Sequence, residues 1–494
     1  MTKRLFLRCC IFVPVILLLV SSFKIESGEV KSTIHDNFSS LYLINDSIPW
    51  LAPENKSKLD LLYLLAEDAS IYGLNNSDYI LPLKSDLPGI GKQALINNQI
   101  CAVAIHFFES LAYGNQKPLF GYNSLDSEPC RSNIALILRQ YFDSDRLQVL
   151  ADSLNKGSLP LLKKIRGYLV ILNNPGFREI LVVSKKADLS NNALKQKLYQ
   201  LGFLNEAEKA DSTDLKKAII AAQKSFDLIA DGTIRSTFIE QLNVPVRIRY
   251  NQCKQALNDL RWLSCITGSE ETILVNIPGA FMEVYNKNVV TLNMRMVVGK
   301  ASTPTPAFTS RIQEVILYPY WHVPRSIATK ELLPLIKLSP AFIDKGGYQV
   351  LNGRGEIMDP YRIKWHTLST SNFPYLIRQS TGCDNALGLI KLNFFSPYGV
   401  YLHDTPSRNS FSLHRRYFSH GCMRMEKPME LGRLILKENS IAIDTITAKG
   451  CLTNQSPVTI KALHRLPLVV WYNVAAIDTS GSVIFYEDVY KKFK

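Results

Sequence analysis

The chain has 494 residues, of which 46% are hydrophobic, and a formal net charge of +14. This length predicts two to four domains with cores of their own, and the absence of long low-complexity tracts favours a globular protein. The positive charge suits an anionic surface or polymer. Because the basic residues are scattered and no nucleic-acid motif accompanies them, we expect no nucleic-acid binding.

The first 22 residues predict an export signal or a membrane anchor. Lys3, Arg4 and Arg8 form a positive segment, and an apolar run follows from 11 to 20. The run is shorter than the roughly 20 apolar residues of a spanning helix, and it fits the apolar region of an export signal. No clear cleavage motif follows, so an uncleaved anchor stays open. We expect the rest of the chain to be exported and soluble.

The exported part contains an odd number of cysteines, which in an oxidising compartment leaves at least one thiol unpaired or intermolecular. They are Cys101, Cys130, Cys253, Cys265, Cys383, Cys422 and Cys451. The sequence does not determine which of the remaining six cysteines pair as disulfides. We predict Cys422 as the free thiol, because its neighbours indicate chemistry.

Residues 36–195 predict a helical scaffold domain. The stretch "KLDLLYLLAEDASIYGL" has leucines near helical spacing, and "CAVAIHFFESLAYG" ends at Gly114, a helix stop. His106 in the second stretch is interpreted as a core residue rather than a ligand.

Residues 205–245 predict a separate helical domain with a helix–turn–helix outline. Ser212 or Thr213 is the expected cap of the first helix, and Asp231-Gly232 is the expected break. The apolar positions at helical spacing are Leu215, Ala218, Ile219 and Ala222 in the first helix and Phe238, Ile239 and Leu242 in the second. The outline resembles the small peptidoglycan-binding domain of wall enzymes, although Ala222 and Asp227 depart from its pattern. A purely structural helical insert remains the alternative.

From about residue 270 the chain becomes rich in β-branched and aromatic residues with Gly and Pro breaks, which predicts strands. Examples are "TILVNIPGAFMEVY", "MRMVVGK", "EVILYPYWHVP" and the closing "LPLVVWYNVAAIDTSGSVIFYEDVY". The segment 329–380 is more polar and predicts an insertion that caps this domain. We therefore expect an α+β multidomain protein, with a mainly β catalytic domain at 250–494 and a helical N-terminal scaffold.

His403 and the stretch "SHGC" at 419–422 predict an activated thiol. The thiolate is the nucleophilic form of cysteine, and an imidazole beside the sulfur lowers the thiol pKa by accepting its proton. Gly421 permits a turn that exposes the sulfur and aims backbone N–H groups at an oxyanion. We assign His403, at the end of a predicted strand, as the base, and His420 as a wall or orienting residue.

Two other interpretations of these residues stay open. Zinc could be held by His403, His414, His420 and Cys422, but the usual paired spacings of zinc ligands are lacking. The cysteine could also be a buried core thiol with incidental histidines.

A histidine, fifteen residues, then Ser-His-Gly-Cys resembles the signature of the L,D-transpeptidase catalytic domain of YkuD type. Arg424 occupies the position where asparagine is commonest in that family, and an arginine there resembles the large Gram-negative branch. The stretches "VNIPGAF", "VVGK", "TPAFTS", "YPYWHVPRSI", "IRQSTG", "NALG" and "VYLHDTP" extend the likeness over most of 250–440. The order of scaffold, wall-binding-like insert and cap also resembles that branch.

The resemblance implies a YkuD-like mixed sheet and a periplasmic enzyme, exported or anchored at the inner membrane. It would act in peptidoglycan biosynthesis, cell-wall organisation and cell shape. Cys422 would attack the third residue of a donor tetrapeptide stem, release the terminal D-Ala, and pass the acyl group to an acceptor amine as a 3→3 crosslink. His403 would be oriented by a backbone carbonyl, that of Asp404, with Gly421 and Cys422 supplying the oxyanion donors.

By the same resemblance, several residues would line or support the donor groove. They are Tyr401, Trp321, Arg424, Arg378, Asn385 and Ser419. No cofactor and no metal are expected. The alternatives are an L,D-carboxypeptidase or cysteine peptidase with water as acceptor, and a non-catalytic wall-binding scaffold.

Overall fold

The computed structural model describes residues 48–82, 93–125, 134–183, 192–449, 451, 455–478 and 480–493. The predicted signal at 1–22 and the thiol of Cys130 lie outside these residues. Within them, no helix combines the length and the apolar character that a membrane span needs.

Helices dominate the described chain before residue 270. They are α1 (Lys56–Glu67), α2 (Gln93–Tyr113), α3 (Ile134–Asp143), α4 (Leu147–Leu154), α5 (Leu159–Leu172), α6 (Asn192–Gln200), α7 (Ser212–Ser225), α8 (Ser236–Leu242) and α9 (Val246–Ser269). Helices α1 to α4 bury one core around Trp50 and Phe107, and α5 to α9 bury a second around Ile165 and Leu257. The stop at Gly114 is present, with φ of 78°.

Helices α7 and α8 form the helix–turn–helix, and every apolar residue predicted for them is buried. The prediction that Ser212 or Thr213 caps the N-terminus of α7 is wrong. Asp211 caps α7, because its carboxylate accepts hydrogen bonds of 2.8 Å from the N–H groups of Thr213 and Asp214. A carboxylate at this position also complements the positive end of the helix dipole.

A large mixed sheet follows, in the order β11-β3-β12-β10-β9-β4-β14-β1-β2, with β13 pairing β4. Its strands are β1 (Thr272–Asn276), β2 (Phe281–Asn286), β3 (Val289–Gly299), β4 (Phe308–Leu317), β9 (Ile390–Phe394), β10 (Leu402–His403), β11 (Tyr417–Ser419), β12 (Met423–Met425), β13 (Val458–Lys461) and β14 (Pro467–Trp471). Helices α13 (Pro428–Leu436) and α14 (Ile441–Lys449) cover one face, where Leu431 and Ile443 join the sheet core. The predicted fold class, a mainly β domain beside a helical region, is confirmed.

A second, smaller sheet forms the capping subdomain, residues 321–379, in the order β5-β8-β6-β7. Its elements are β5 (Trp321–His322), α10 (Arg325–Ile327), α11 (Leu333–Leu338), α12 (Ala341–Lys345), β6 (Tyr348–Leu351), β7 (Ile357–Met358) and β8 (Leu376–Gln379). It has its own core around Ile336, Trp365 and Ile377. The subdomain therefore begins before residue 329, because β5 pairs with β8.

The end of the chain returns to the helices. Strands β15 (Ala475–Ile477) and β16 (Val483–Phe485) form a hairpin whose Ala475, Val483 and Phe485 are buried among α5 to α9. Helix α9 begins before residue 250 and ends just before β1. The predicted domain of 250–494 thus shares its hairpin and its first helix with the helical core.

Candidate active site

Three neighbouring strands of the large sheet carry a row of polar side chains. His403 on β10 is in register with Lys391 on β9 and with Arg424 on β12. Because side chains alternate along a strand, these three project from one face of the sheet. Their neighbours project from the other face into the core, fully buried: Leu392, Leu402 and Met423.

Cys422 directly precedes β12 and lies beside Tyr401, whose carbonyl accepts a 3.0 Å hydrogen bond from the N–H of Met423. Cys422 is two residues from Arg424, as Tyr401 is from His403, so all four lie on the polar face. Strand spacing and rise make Cys422 and His403 diagonal neighbours, with Cα atoms about 8 Å apart. The structure thus places the two residues that the sequence nominated as nucleophile and base on the same face of the sheet.

The ring of His403 is buried and oriented by the backbone. Its Nδ1 lies 2.5 Å from the carbonyl oxygen of Asp404, the contact that the resemblance implied. A carbonyl can only accept, so Nδ1 carries the proton and Nε2 is the free acceptor. Burial, and then the nearby Arg424 charge, lower the pKa of His403 to about 3, against the opposing effect of the Asp404 bond. The ring is therefore neutral at neutral pH.

The thiol of Cys422 is also neutral at rest. Burial raises its pKa, while contacts with the backbone and hydroxyl of Tyr401 and the charges of Lys391 and Arg424 act in the other direction. The expected lowering of this pKa by an imidazole is not found, because burial outweighs the influences that act in the other direction. The centroid of the Tyr401 ring lies 5.7 Å from that of the His403 ring.

The loop before the thiol is held by hydroxyl groups. Ser419 Oγ accepts from the N–H of Gly421 at 3.1 Å and donates to the carbonyl of Cys422 at 2.5 Å. Thr305 Oγ1 donates to the Gly421 carbonyl at 2.8 Å, and Gly421 has a φ of 109°, which glycine adopts without strain. Ser419 is 3% exposed. The structure therefore gives Ser419 a loop-shaping role in place of the predicted substrate contact.

The same loop decides which backbone donors are available for an oxyanion. The N–H of Gly421 is already engaged by Ser419. Among the described residues no acceptor is found for the N–H of Cys422. The prediction of two donors is therefore reduced to one, that of Cys422 itself.

His420 faces the capping subdomain. Its Nε2 lies 2.8 Å from the carboxylate of Glu331, which lies in the π-helical segment Ala328–Leu332 that joins α10 to α11. Both side chains are partly exposed. His420 is thus placed at the boundary between the catalytic loop and the cap, a position compatible with the predicted wall.

The remaining predicted groove residues are distributed differently. Trp321 on β5 contacts the side chain of Tyr401 and so borders the site. Arg378 lies within the cap, where Nε donates to Gln349 at 2.7 Å. Asn385 is 2% exposed and its amide donates to two backbone carbonyls, at 3.2 and 2.7 Å. Asn385 is therefore a support below the groove and Arg378 a residue of the cap.

Sequence reasoning missed two residues near the site. Lys391 stands within the otherwise apolar "LIKLNFF", and a charge in such a strand was a usable signal. Gly388 has a φ of 61°, and a Cβ there would overlap the Asp404 carboxylate. Asp404 Oδ2 accepts from the N–H of Leu389 at 2.9 Å, so this turn holds the segment that orients His403.

The residues considered for zinc are not gathered. His414 lies 4.0 Å from Asp227, and His420 faces Glu331. In the part of the chain that the structure describes, no three His, Cys, Asp or Glu side chains cluster as metal ligands would. The zinc interpretation of His403, His414, His420 and Cys422 is wrong.

Comparison with known proteins agrees with this geometry. Residues 270–443 match the YkuD family, the L,D-transpeptidase catalytic domain. For this segment the match confirms the resemblance to the L,D-transpeptidase catalytic domain of YkuD type. A "Putative L,D-transpeptidase" of Haemophilus influenzae is 34% identical over 237 residues, 48% of this chain and 47% of that protein. The match thus spans about half the length of that relative.

Similar solved structures include two mycobacterial proteins. An L,D-transpeptidase from Mycobacterium smegmatis has a TM-score of 0.19 and 15% identity, over 41% of this chain and 58% of that chain. L,D-transpeptidase 3 from Mycobacterium tuberculosis has a TM-score of 0.21 and 10% identity, over 41% of this chain and 60% of that chain.

Proposed function

We propose that this protein is a peptidoglycan L,D-transpeptidase that forms 3→3 crosslinks through a thioester on Cys422. One observation carries the proposal: Cys422 and a neutral, backbone-oriented His403 share the polar face of β10 and β12, next to the capping subdomain. The match of 270–443 to the YkuD family supports it.

In the first step, His403 Nε2 accepts the thiol proton as Sγ bonds to the carbonyl carbon of the third stem residue. A neutral imidazole with a free Nε2 is competent for this role. The N–H of Cys422 would donate to the developing oxyanion. When the tetrahedral intermediate collapses, the C–N bond breaks and the imidazolium proton passes to the departing D-Ala amine, which leaves a thioester.

In the second step, an amine of a neighbouring stem attacks the thioester carbonyl and His403 takes its proton. The C–S bond breaks, the thiol regains a proton, and the new amide is the 3→3 link. Water in place of the amine would give tripeptide, which is the L,D-carboxypeptidase alternative.

The proposed partners are the stem peptides of peptidoglycan, and the proposed location is outside the cytoplasm, in the periplasm. The positive and apolar segments within residues 1–22 support export. The net charge of +14 suits an anionic cell wall.

The test is incubation of purified disaccharide-tetrapeptide with the wild type and with Cys422→Ala, followed by mass spectrometry. Dimeric muropeptide with free D-Ala from the wild type alone supports transpeptidation. Tripeptide without dimer replaces it with carboxypeptidation, and no product from the wild type refutes both.

A carbapenem separates an enzyme from a silent scaffold, because the β-lactam acylates a competent nucleophile. We expect one covalent adduct by intact mass, lost in Cys422→Ala. Cys101→Ala is the matched control, since Cys101 is 2% exposed and far from the sheet. A folded wild type that gains no mass would support the scaffold alternative.

A further inference from the structure

Two cations flank the thiol on the polar face. Lys391 and Arg424 are the register partners of His403 on either side, and both interact electrostatically with Cys422. Among the described residues, neither forms an ion pair with a carboxylate within 4 Å. Two half-buried positive charges therefore converge on one reacting sulfur without a counter-ion.

Arg424 also has an unused donor. Its Nε is buried and has no hydrogen-bond partner among the described residues. A buried donor left unpaired is destabilising, and more so when the group is charged. On the polar face beside the thiol, this donor is available to a ligand that supplies an acceptor.

Lys391 is held in a position from which it can meet the same ligand. Its Nζ lies 4.2 Å from the centroid of the Tyr401 ring, a cation–π contact that fixes the ammonium beside the residue touching the thiol. Burial lowers the pKa of Lys391, whereas Cys422 and Glu314 act in the other direction. Glu314 acts on Lys391 from beyond ion-pair distance, so the ammonium is available to an incoming carboxylate.

These cations oppose the first proton transfer of the proposed reaction. That step puts a positive charge on His403, and Arg424 and Lys391 both disfavour a charged ring. An anion seated between the two cations removes this repulsion. An anion bound by Lys391 and Arg424 would therefore favour this proton transfer.

We propose, on the basis of the proposed function, that Lys391 and Arg424 together bind a carboxylate of the donor stem and so set the specificity for a free acid next to the scissile bond. The carboxylate is not transformed; it neutralises the two cations while His403 accepts the thiol proton. Two carboxylates of a stem could have this chemistry: the terminal one of D-Ala and, in stems whose third residue carries a side-chain carboxylate, that one.

The test compares three donors: the tetrapeptide with both carboxylates free, the same peptide ending in D-alaninamide, and the same peptide amidated on the third side chain. Each is assayed with the wild type, Lys391→Met and Lys391→Arg. We expect the wild type to lose about 10- to 100-fold in kcat/KM on one amidated donor, the effect of a charged hydrogen bond. The donor affected identifies which carboxylate is bound.

Lys391→Met should fall by a similar factor on the free acid yet change little on that amidated donor, whereas Lys391→Arg should keep the preference. Lys337→Met, on an exposed position of α11, is the matched control and should behave as wild type. Equal losses on acid and amide in Lys391→Met would overturn the proposal.

The wild type alone gives a second readout that does not depend on the folding of any variant. Equal rates on all three donors would overturn carboxylate recognition while leaving transpeptidation intact. A wild type that releases no D-Ala from any donor would instead remove the proposed function on which the inference rests.

Discussion

The two faces of strands β9, β10 and β12 differ sharply although their residues alternate along the same backbone. One face buries Leu392, Leu402 and Met423 in the core. The other holds Lys391, His403 and Arg424, two of them charged, and among the described residues none of the three forms an ion pair with a carboxylate within 4 Å. Every second residue therefore serves folding, and those between serve the site.

The rigidity of the site comes from the apolar face of the same strands. Half-buried cations and a buried imidazole are unfavourable by themselves, and the apolar face offsets that cost by burying complete aliphatic side chains. The polar face can stay electrostatically unsatisfied only because the opposite face holds the strands in register.

The largest expected effects come from substitutions at the adjacent residues Leu402 and His403, one on stability and the other on activity. Leu402→Ala leaves a cavity in the core and should lower the free energy of unfolding by about 2–5 kcal/mol. His403→Gln should reduce kcat by about 10² to 10⁴-fold, the contribution of a general base, with little loss of stability. Urea unfolding and D-Ala release measure the two. A His403→Gln protein as unstable as Leu402→Ala would break the division between faces.

The next effect concerns the disulfide that closes the loop beside the polar face. Cys383 and Cys451 are joined across a separation of 68 residues, and Cys383 precedes the turn whose Leu389 N–H binds Asp404. Replacing both cysteines by serine should lower the free energy of unfolding by about 2–4 kcal/mol, since the unfolded chain gains freedom. Thermal unfolding of the oxidised protein is the measurement. The same midpoint before and after replacement would contradict the expectation.

The pH dependence of stability sharpens the same comparison. The folded pKa of His403, about 3, lies below the value of about 6.5 in an unfolded chain, so the unfolded state binds the proton more readily. The resulting stability is complete above about pH 6.5 and is lost as the pH falls toward the folded value, at up to about 1.4 kcal/mol per pH unit. Subtracting the profile of His403→Gln isolates this contribution. Parallel profiles would show that burial does not disfavour the charged ring.

The smallest effect concerns the contact between the polar face and the cap. His420 and Glu331 are partly exposed, so Glu331→Gln should cost less than about 1 kcal/mol globally. It should still accelerate hydrogen exchange in the 419–422 loop, and remove that loop's sensitivity to salt. Glu356→Gln, elsewhere in the cap, is the control. Unchanged exchange in Glu331→Gln would mean that the pair does not hold the loop.

Local patterns predicted those parts of the molecule whose causes are local. The spacing of Leu215, Ala218 and Ile219 predicted α7, because one face of that helix is buried. Helix α9 gave no such signal, since it is enclosed by several elements and buries Arg249, Asp259 and Arg261 among apolar residues. Burial on many sides blurs the helical period.

The sequence alone predicted the site: His403 and the tetrapeptide Ser-His-Gly-Cys, at their separation, match the pattern of one catalytic family. Only the tertiary structure decided which side chains and backbone groups surround these residues. It placed Lys391 beside His403, used Ser419 and Asn385 as supports, and left the thiol protonated. The reason is physical, since strand register and burial join residues far apart in the chain, and these set the charge and hydrogen bonding that each side chain meets.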